Sequence, residues 1–114
     1  MEIKIHLPDD VAEYGPDLEF FMSLMVRKLY MNRHRGWADN MSINDGLEGV
    51  AREFEEMVDA IRGESSFSAI VEAVDVANMA LIVYLTLSRQ IRPQYEAQRG
   101  NIPRLKIVVD GEGK

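Results

Sequence analysis

Four acidic side chains are the residues of this sequence best suited to chemistry. Glu72 and Asp75 are the only charged residues in the segment 68–88, and three-residue spacing puts them on one face of a helix. Glu53 and Glu56 have the same spacing in the preceding segment. Ionised carboxylates in an apolar helix are costly unless they are paired, hydrogen-bonded or bound to a metal. The pattern predicts a carboxylate cluster around a hard divalent cation, and Mg²⁺ is the usual choice where an all-oxygen site serves phosphates.

Two helices joined by a short turn would have to position these carboxylates. Ser42 predicts the start of the first helix, because Asp45 three residues later completes a short capping box. An apolar stripe then runs to Gly63, where this helix is expected to end. A serine at 65–66 can cap the second helix, which is almost wholly apolar and should end before Pro93. The second helix is therefore predicted to be the buried central helix.

The register between the two helices decides which carboxylates meet. In an antiparallel hairpin, the numbers of facing residues have a nearly constant sum. One register brings Glu53 opposite Asp75 and Glu56 opposite Glu72. A second register brings Asp59 opposite Glu72, so the spacing alone leaves both open. A solvated acidic face is the alternative for the first pair, and neutralisation by basic partners is the alternative for the second.

The other segments predict an all-α fold with a small β addition. Residues 17–32 follow Pro16 and carry apolar side chains at three- and four-residue steps, which predicts a further helix. Residues 3–7 and 105–109 are short apolar or alternating runs that can pair as a terminal β-ribbon. A hairpin over 42–92 packed on the first helix gives a helical-hairpin or four-helix-bundle type of core. A small chain with a long apolar central helix is expected to complete that core by oligomerisation.

Composition excludes several classes of function. The 114 residues predict a single domain over 1–114 with its core at about 17–92. The absence of cysteine excludes a disulfide framework, a zinc finger and a cysteine nucleophile. A net charge of −6 argues against nucleic acid as a partner. Because no basic N-terminal region precedes an apolar run, and the apolar stretch 76–88 is shorter than the roughly 20 residues of a membrane span, we expect a cytoplasmic protein without a membrane partner.

The two acidic pairs also resemble a known signature. The chain reads Glu53-Phe-Glu-Glu56, fifteen intervening residues and then Glu72-Ala-Val-Asp75. This resembles the Glu-x-x-Glu and Glu-x-x-Asp pattern of the all-α nucleoside triphosphate pyrophosphohydrolases of the MazG-like group, and the similarity extends over residues 29–84. The resemblance favours the register built on Glu53 and Glu56, in which Asp59 matches a further acidic position that varies in the family. The chain departs from the family at residue 52, an arginine where many members have a glutamate.

The resemblance implies an enzyme that hydrolyses a nucleoside or deoxynucleoside triphosphate to the monophosphate and pyrophosphate, in the service of nucleotide-pool cleaning. Mg²⁺, with Mn²⁺ as a substitute, would be held by Glu53, Glu56, Glu72 and Asp75. Glu53 or Glu56 would accept a proton from the attacking water. The family also implies a homodimer or a homotetramer.

The same resemblance points to substrate-binding residues in and around a basic-aromatic loop. Arg35 precedes Trp37 by two residues, which is similar to the family segment that contacts the nucleotide. Arg35 and Lys28 would bind phosphates, and Trp37 would stack on the base. Asn32 shares a helix face with Lys28, while Asn78 would bond a sugar or phosphate or else be a satisfied core amide.

Two other functions stay open from the sequence. A non-enzymatic helical interaction module would use the acidic face and the loop tryptophan to contact a protein, and it would bind neither Mg²⁺ nor Mn²⁺. A phosphoribosyl-ATP pyrophosphohydrolase would share the metal chemistry but differ in substrate. A test of metal binding distinguishes the interaction module from the enzyme. A substrate screen distinguishes the phosphoribosyl-ATP pyrophosphohydrolase from an enzyme that acts on nucleoside triphosphates.

Overall fold

The computed structural model describes residues 2–35, 41–63, 65–102 and 106–110, and its described part is an all-α fold with one small ribbon, as predicted. The elements, in chain order, are β1 (Glu2–His6), a 3₁₀ turn (Asp9–Tyr14), α1 (Gly15–Met31), a second 3₁₀ turn (Arg33–Arg35), α2 (Ile43–Arg62), α3 (Ser66–Gln90), α4 (Arg92–Arg99) and β2 (Lys106–Asp110).

The α2–α3 hairpin begins and ends close to the positions that the sequence predicts. The Ser42 hydroxyl accepts a hydrogen bond from the backbone N–H of Asp45 at 3.1 Å, and the Asp45 carboxylate accepts one from the Ser42 N–H, so the capping box is formed. Gly63 follows the last residue of α2. The predicted side-chain cap of α3 is wrong: Ser65 lies at the capping position, but no side-chain bond forms. Its backbone N–H instead donates to the Ala60 carbonyl and closes the turn.

Helix α2 packs closely on α3 because two of its residues lack a side chain. Gly46 and Gly49 are both buried, one turn apart. A Cβ on Gly46 would lie 2.9 Å from Cγ2 of Val83, and one on Gly49 would overlap the methyl end of Met79. The two glycines therefore allow the backbone of α2 to approach the side chains of α3.

Helix α3 is the central helix of the fold. Its Val74, Met79 and Ile82 are buried hydrophobic residues, and its Asn78 amide donates to the carbonyl of Met25 on α1 at 3.3 Å. The length argument against a membrane span is wrong, because the helix extends over 25 residues and is long and apolar enough to cross a membrane by length and composition alone. Core helices pass the same test, and α3 packs on both α1 and α2.

Helix α4 is an element that the sequence analysis missed. Its eight residues are mostly polar and carry no apolar stripe that would predict a helix. Pro93 occupies its first turn, where proline is well tolerated. Tyr95 anchors it on α3, since its hydroxyl is hydrogen-bonded to that of Tyr84 and the two rings meet edge to face at 5.9 Å. A tertiary contact, rather than local periodicity, thus stabilises α4.

The predicted terminal ribbon is confirmed. Strands β1 and β2 pair antiparallel, with Ile3 opposite Val109 and Ile5 opposite Ile107. Ile5 is buried, and its backbone N–H donates to a carboxylate oxygen of Glu19 on α1 at 3.2 Å. These contacts attach the ribbon to the helices, which a two-stranded ribbon needs for stability.

Candidate functional site

Three of the four predicted carboxylates form one cluster between α2 and α3. Glu53, Glu56 and Glu72 each offer a carboxylate oxygen, and these oxygens lie within 4.8 Å of one another. Within the described residues, Asp59 is outside this group. The hairpin therefore has the register that pairs Glu53 and Glu56 with the acidic residues of α3. Helical spacing explains the convergence, since residues three apart share a face on each helix.

Asp75 lies beside this cluster and joins it to α1. Its Oδ1 is 3.3 Å from the Nζ of Lys28, and the two side chains are only 20% and 33% exposed. The charge of Asp75 also raises the pKa values of Glu53 and Glu72. Asp75 therefore has a basic partner, which agrees with the alternative that basic side chains neutralise the second acidic pair. Glu72 differs, because burial and its acidic neighbours raise its pKa by more than Lys28 lowers it.

Burial and crowding of like charges raise the pKa values of two glutamates of the cluster. Burial is the largest cause that raises the pKa of Glu53 from 4.5 to about 7, followed by its hydrogen bond with Glu56 and then the charges of Glu56, Asp75 and Glu72. Burial, followed by the charges of Asp75 and Glu56, also raises the pKa of Glu72, and the ammonium of Lys28 lowers it in part. Carboxylates that repel one another in this way are stabilised by a cation between them.

Two buried oxygen atoms at the cluster lack a hydrogen-bond partner among the described residues. One is Oε2 of Glu72, and the other is Oδ1 of Asn78, a residue that is only 3% exposed. Buried polar atoms in folded proteins are nearly always satisfied. Carboxylate and amide oxygens are also the ligands that Mg²⁺ and Ca²⁺ take. The unmet bonding capacity of these oxygens therefore fits a hard cation at this point of the fold.

A cavity of about 270 Å³ opens beside the cluster and gathers most of the predicted substrate-binding residues. The predicted residues that line it share a polar or charged side chain: Lys28, Asn32, Arg35, Glu53, Asp75 and Asn78. Glu56 and Glu72 do not line the cavity. Their carboxylates lie within 4.8 Å of that of Glu53, which does line it. Asn32 uses its amide nitrogen to cap α1, donating to the Lys28 carbonyl at 3.0 Å.

Three lining residues were not predicted to belong to a site. Met41 and Met79 form an apolar part of the cavity wall, and Arg52 adds a third basic side chain to Lys28 and Arg35. The sequence marked Arg52 only as the position where the chain departs from the acidic signature that it resembles. Trp37, the predicted base-stacking residue, lies outside the described residues, so its role stays a prediction.

No protein-family model, curated protein sequence or solved structure matches this chain. The chemistry of the cavity is therefore read from its own side chains. A cavity that is lined by both acidic and basic side chains and lies beside an acidic cluster can bind a divalent cation and a polyanion next to each other.

Proposed function

We propose that this protein is a Mg²⁺-dependent nucleoside triphosphate pyrophosphohydrolase of the MazG-like type. It would convert a nucleoside or deoxynucleoside triphosphate to the monophosphate and pyrophosphate. The observation that carries the proposal is the juxtaposition, at one cavity, of a cluster of three glutamate carboxylates with three basic side chains. A polyphosphate that arrives with a divalent cation matches both walls of such a cavity.

The metal would be held by Glu53, Glu56, Glu72 and Asp75. The unsatisfied Oε2 of Glu72 supports this assignment, as does the mutual repulsion of the glutamates. Bound Mg²⁺, or Mn²⁺ in its place, would supply positive charge for the phosphates and acidify a water molecule. Asn78 adds an unsatisfied amide oxygen for the cation or for a hydroxyl group of the substrate.

Glu53 is the best candidate for the general base. It lines the cavity, whereas Glu56 does not, so it alone of the two can reach a water molecule placed there. Burial and the neighbouring carboxylates raise the pKa of Glu53 to about 7. A cation at the cluster would lower this pKa again, so Glu53 would be ionised and able to accept a proton. Glu56 lies beside Glu53 in the cluster and would help to hold the cation. Glu53 would take the proton as water attacks phosphorus and pyrophosphate leaves.

Lys28 and Arg35 would bind the phosphates of the substrate. Lys28 is held by Asp75, so its ammonium is already oriented at the cavity wall before substrate arrives. The amide nitrogen of Asn32 donates to the Lys28 carbonyl, so its side-chain oxygen would accept a hydrogen bond from a hydroxyl group of the substrate rather than bind a phosphate. Trp37 would stack on the base.

A second copy of this chain would cover an apolar groove between α1 and α3. The groove is lined by apolar residues with two cations at its edge: Leu24, Arg27, Lys28, Met31, Phe67, Val71 and Val74. Met31 in this groove is 56% exposed, and exposed apolar area of this kind is what the subunits of a stable homodimer or homotetramer bury. Phe67 is 76% exposed, and Lys28 lines both the groove and the candidate active site. Assembly would therefore fix one wall of that site.

Pyrophosphate release from a panel of substrates tests the function. We expect at least one of the common or deoxy nucleoside triphosphates to be hydrolysed with Mg²⁺, and phosphoribosyl-ATP belongs in the panel as a separate substrate class. Glu72→Gln should lower turnover at least about a hundredfold, the usual scale for losing an electrostatic clamp. Glu55→Gln is the matched control, since Glu55 is an exposed residue of α2 outside the cluster.

Calorimetry with Mg²⁺ and Mn²⁺ distinguishes the enzyme from an interaction module. Binding of either ion, alone or with nucleotide, is expected for the enzyme and should be lost in Glu72→Gln. If neither ion binds and no substrate of the panel is hydrolysed, the proposal is wrong and the interaction module becomes the better interpretation.

A further inference from the structure

Arg52 brings a third cation to the candidate active site. It precedes Glu53 on α2 and lines the same cavity as Lys28 and Arg35. Its Nη2 lies 3.8 Å from the point where a side chain on Gly49 would begin. The guanidinium therefore extends over the glycine toward the N-terminal end of α2, in the direction that helical side chains favour. A Cβ at this position would be in ordinary van der Waals contact with the guanidinium, so the guanidinium lies against this turn of α2.

The guanidinium of Arg52 is not held by an ion pair within the described part of the chain. Among the described residues it forms no ion pair or side-chain hydrogen bond, although Glu48 and Glu56 lie one helical turn away on either side. Lys28, in contrast, is neutralised by Asp75. Arg52 is also exposed, so its full set of donors is available to a ligand in the cavity.

The chemistry of this cation suits a phosphate. A guanidinium presents a planar fork of donors that matches two phosphate oxygens, which an ammonium cannot do. A triphosphate chain carries several phosphates along its length, so basic groups distributed around one cavity can bind different phosphates of the same chain. Arg52 directly precedes Glu53, so it adds an anion-binding group at the edge of the acidic cluster.

We propose that Arg52 binds the polyphosphate chain of the substrate and thereby makes the site prefer a triphosphate over its monophosphate product. This inference rests on the proposed function, because it assigns the substrate to the same cavity. Arg52 is a binding residue in this account, so its loss weakens the affinity for polyphosphate more than it slows the chemical step.

Calorimetry with inorganic tripolyphosphate and Mg²⁺ tests the inference without a nucleoside. Arg52→Gln should weaken tripolyphosphate binding at least about tenfold, the usual scale for a charge-assisted hydrogen bond. Arg52→Lys should give an intermediate loss, because lysine keeps the charge but not the fork. The matched control is Arg62→Gln, which removes the same charge about 15 Å further along α2 and should leave binding unchanged.

Steady-state kinetics provide the second readout. In Arg52→Gln we expect a raised KM for the triphosphate with a smaller change in kcat, and an unaltered inhibition constant for the monophosphate product. Equal tripolyphosphate binding by the wild type and Arg52→Gln would overturn the inference, as would no binding by the wild type or an equal loss in Arg62→Gln. Arg52-dependent binding of tripolyphosphate without hydrolysis of any triphosphate would overturn the proposed function alone.

Discussion

Replacing Glu53 with glutamine should stabilise the cation-free protein, and the gain should grow with pH. The pKa of Glu53 is raised from 4.5 to about 7 in the folded chain, chiefly by burial and by its contact with Glu56. Between these two values the folded state binds more protons than the unfolded state, so stability falls as pH rises. The unfavourable effect is absent below about pH 4.5 and complete above about pH 7. Glutamine carries no charge at any pH, so the Glu53→Gln variant does not lose this stability as the pH rises.

The expected gain follows from the size of this pKa difference. A change from 4.5 to about 7 corresponds to a ceiling of about 3 kcal/mol. Because the cluster is partly open to solvent at the cavity, screening should reduce this to about 1–2 kcal/mol. For 114 residues, that free energy raises the Tm by about 4–8 °C.

Thermal unfolding from pH 4 to pH 9, at one protein concentration and with a chelator present, measures this effect. Glu53→Gln should match the wild type near pH 4 and exceed its Tm by about 4–8 °C at pH 8, while the exposed Glu55→Gln control should show no gain that depends on pH. Addition of Mg²⁺ should raise the Tm of the wild type and reduce the difference. A Glu53→Gln variant that is no more stable than the wild type at pH 8 would refute the electrostatic account of the cluster.

Three further perturbations test the packing, the assembly and the loop. Gly46→Ala should lower the free energy of unfolding by about 1–2 kcal/mol in a denaturant titration, because the new methyl group would meet Val83 at 2.9 Å and the better helix propensity offsets only part of that clash. Phe67→Glu should shift the sedimentation coefficient toward that of a monomer, since it places a charge in the apolar groove; an unchanged oligomer would exclude this face as the interface. Trp37→Ala should mainly raise KM, because stacking stabilises the ground and transition states alike; a large loss of kcat alone would contradict a base-stacking role.

Local sequence signals were sufficient to predict the hairpin that carries the carboxylates. Ser42 and Gly63 bound α2 through interactions within a few residues, so capping rules apply to them directly. The three-residue spacing of Glu53 and Glu56 likewise fixes their common face on α2. The choice between two registers was not local, because it depends on how α2 and α3 pack, and spacing alone left it open.

Features that depend on tertiary contact were beyond the sequence analysis. Helix α4 is polar and is anchored by Tyr95 against Tyr84, a contact that leaves no periodic pattern. The ion pair between Lys28 and Asp75 joins two helices distant in sequence. The place of Arg52 in the cavity depends on how α1, α2 and α3 come together around it.

The conversion of a triphosphate by the wild type and by Asp75→Asn, followed by ³¹P NMR in the presence of Mg²⁺, tests the central claim most directly. The spectrum identifies each phosphorus-containing product and so separates pyrophosphate release from removal of a single phosphate. For the wild type we predict signals of the nucleoside monophosphate and pyrophosphate. For the folded Asp75→Asn variant, which loses one carboxylate charge and the partner of Lys28, we predict a rate at least about a hundredfold lower. Near-normal pyrophosphate release by Asp75→Asn, or an unchanged triphosphate with the wild type across the substrate panel, would contradict the assignment of this site.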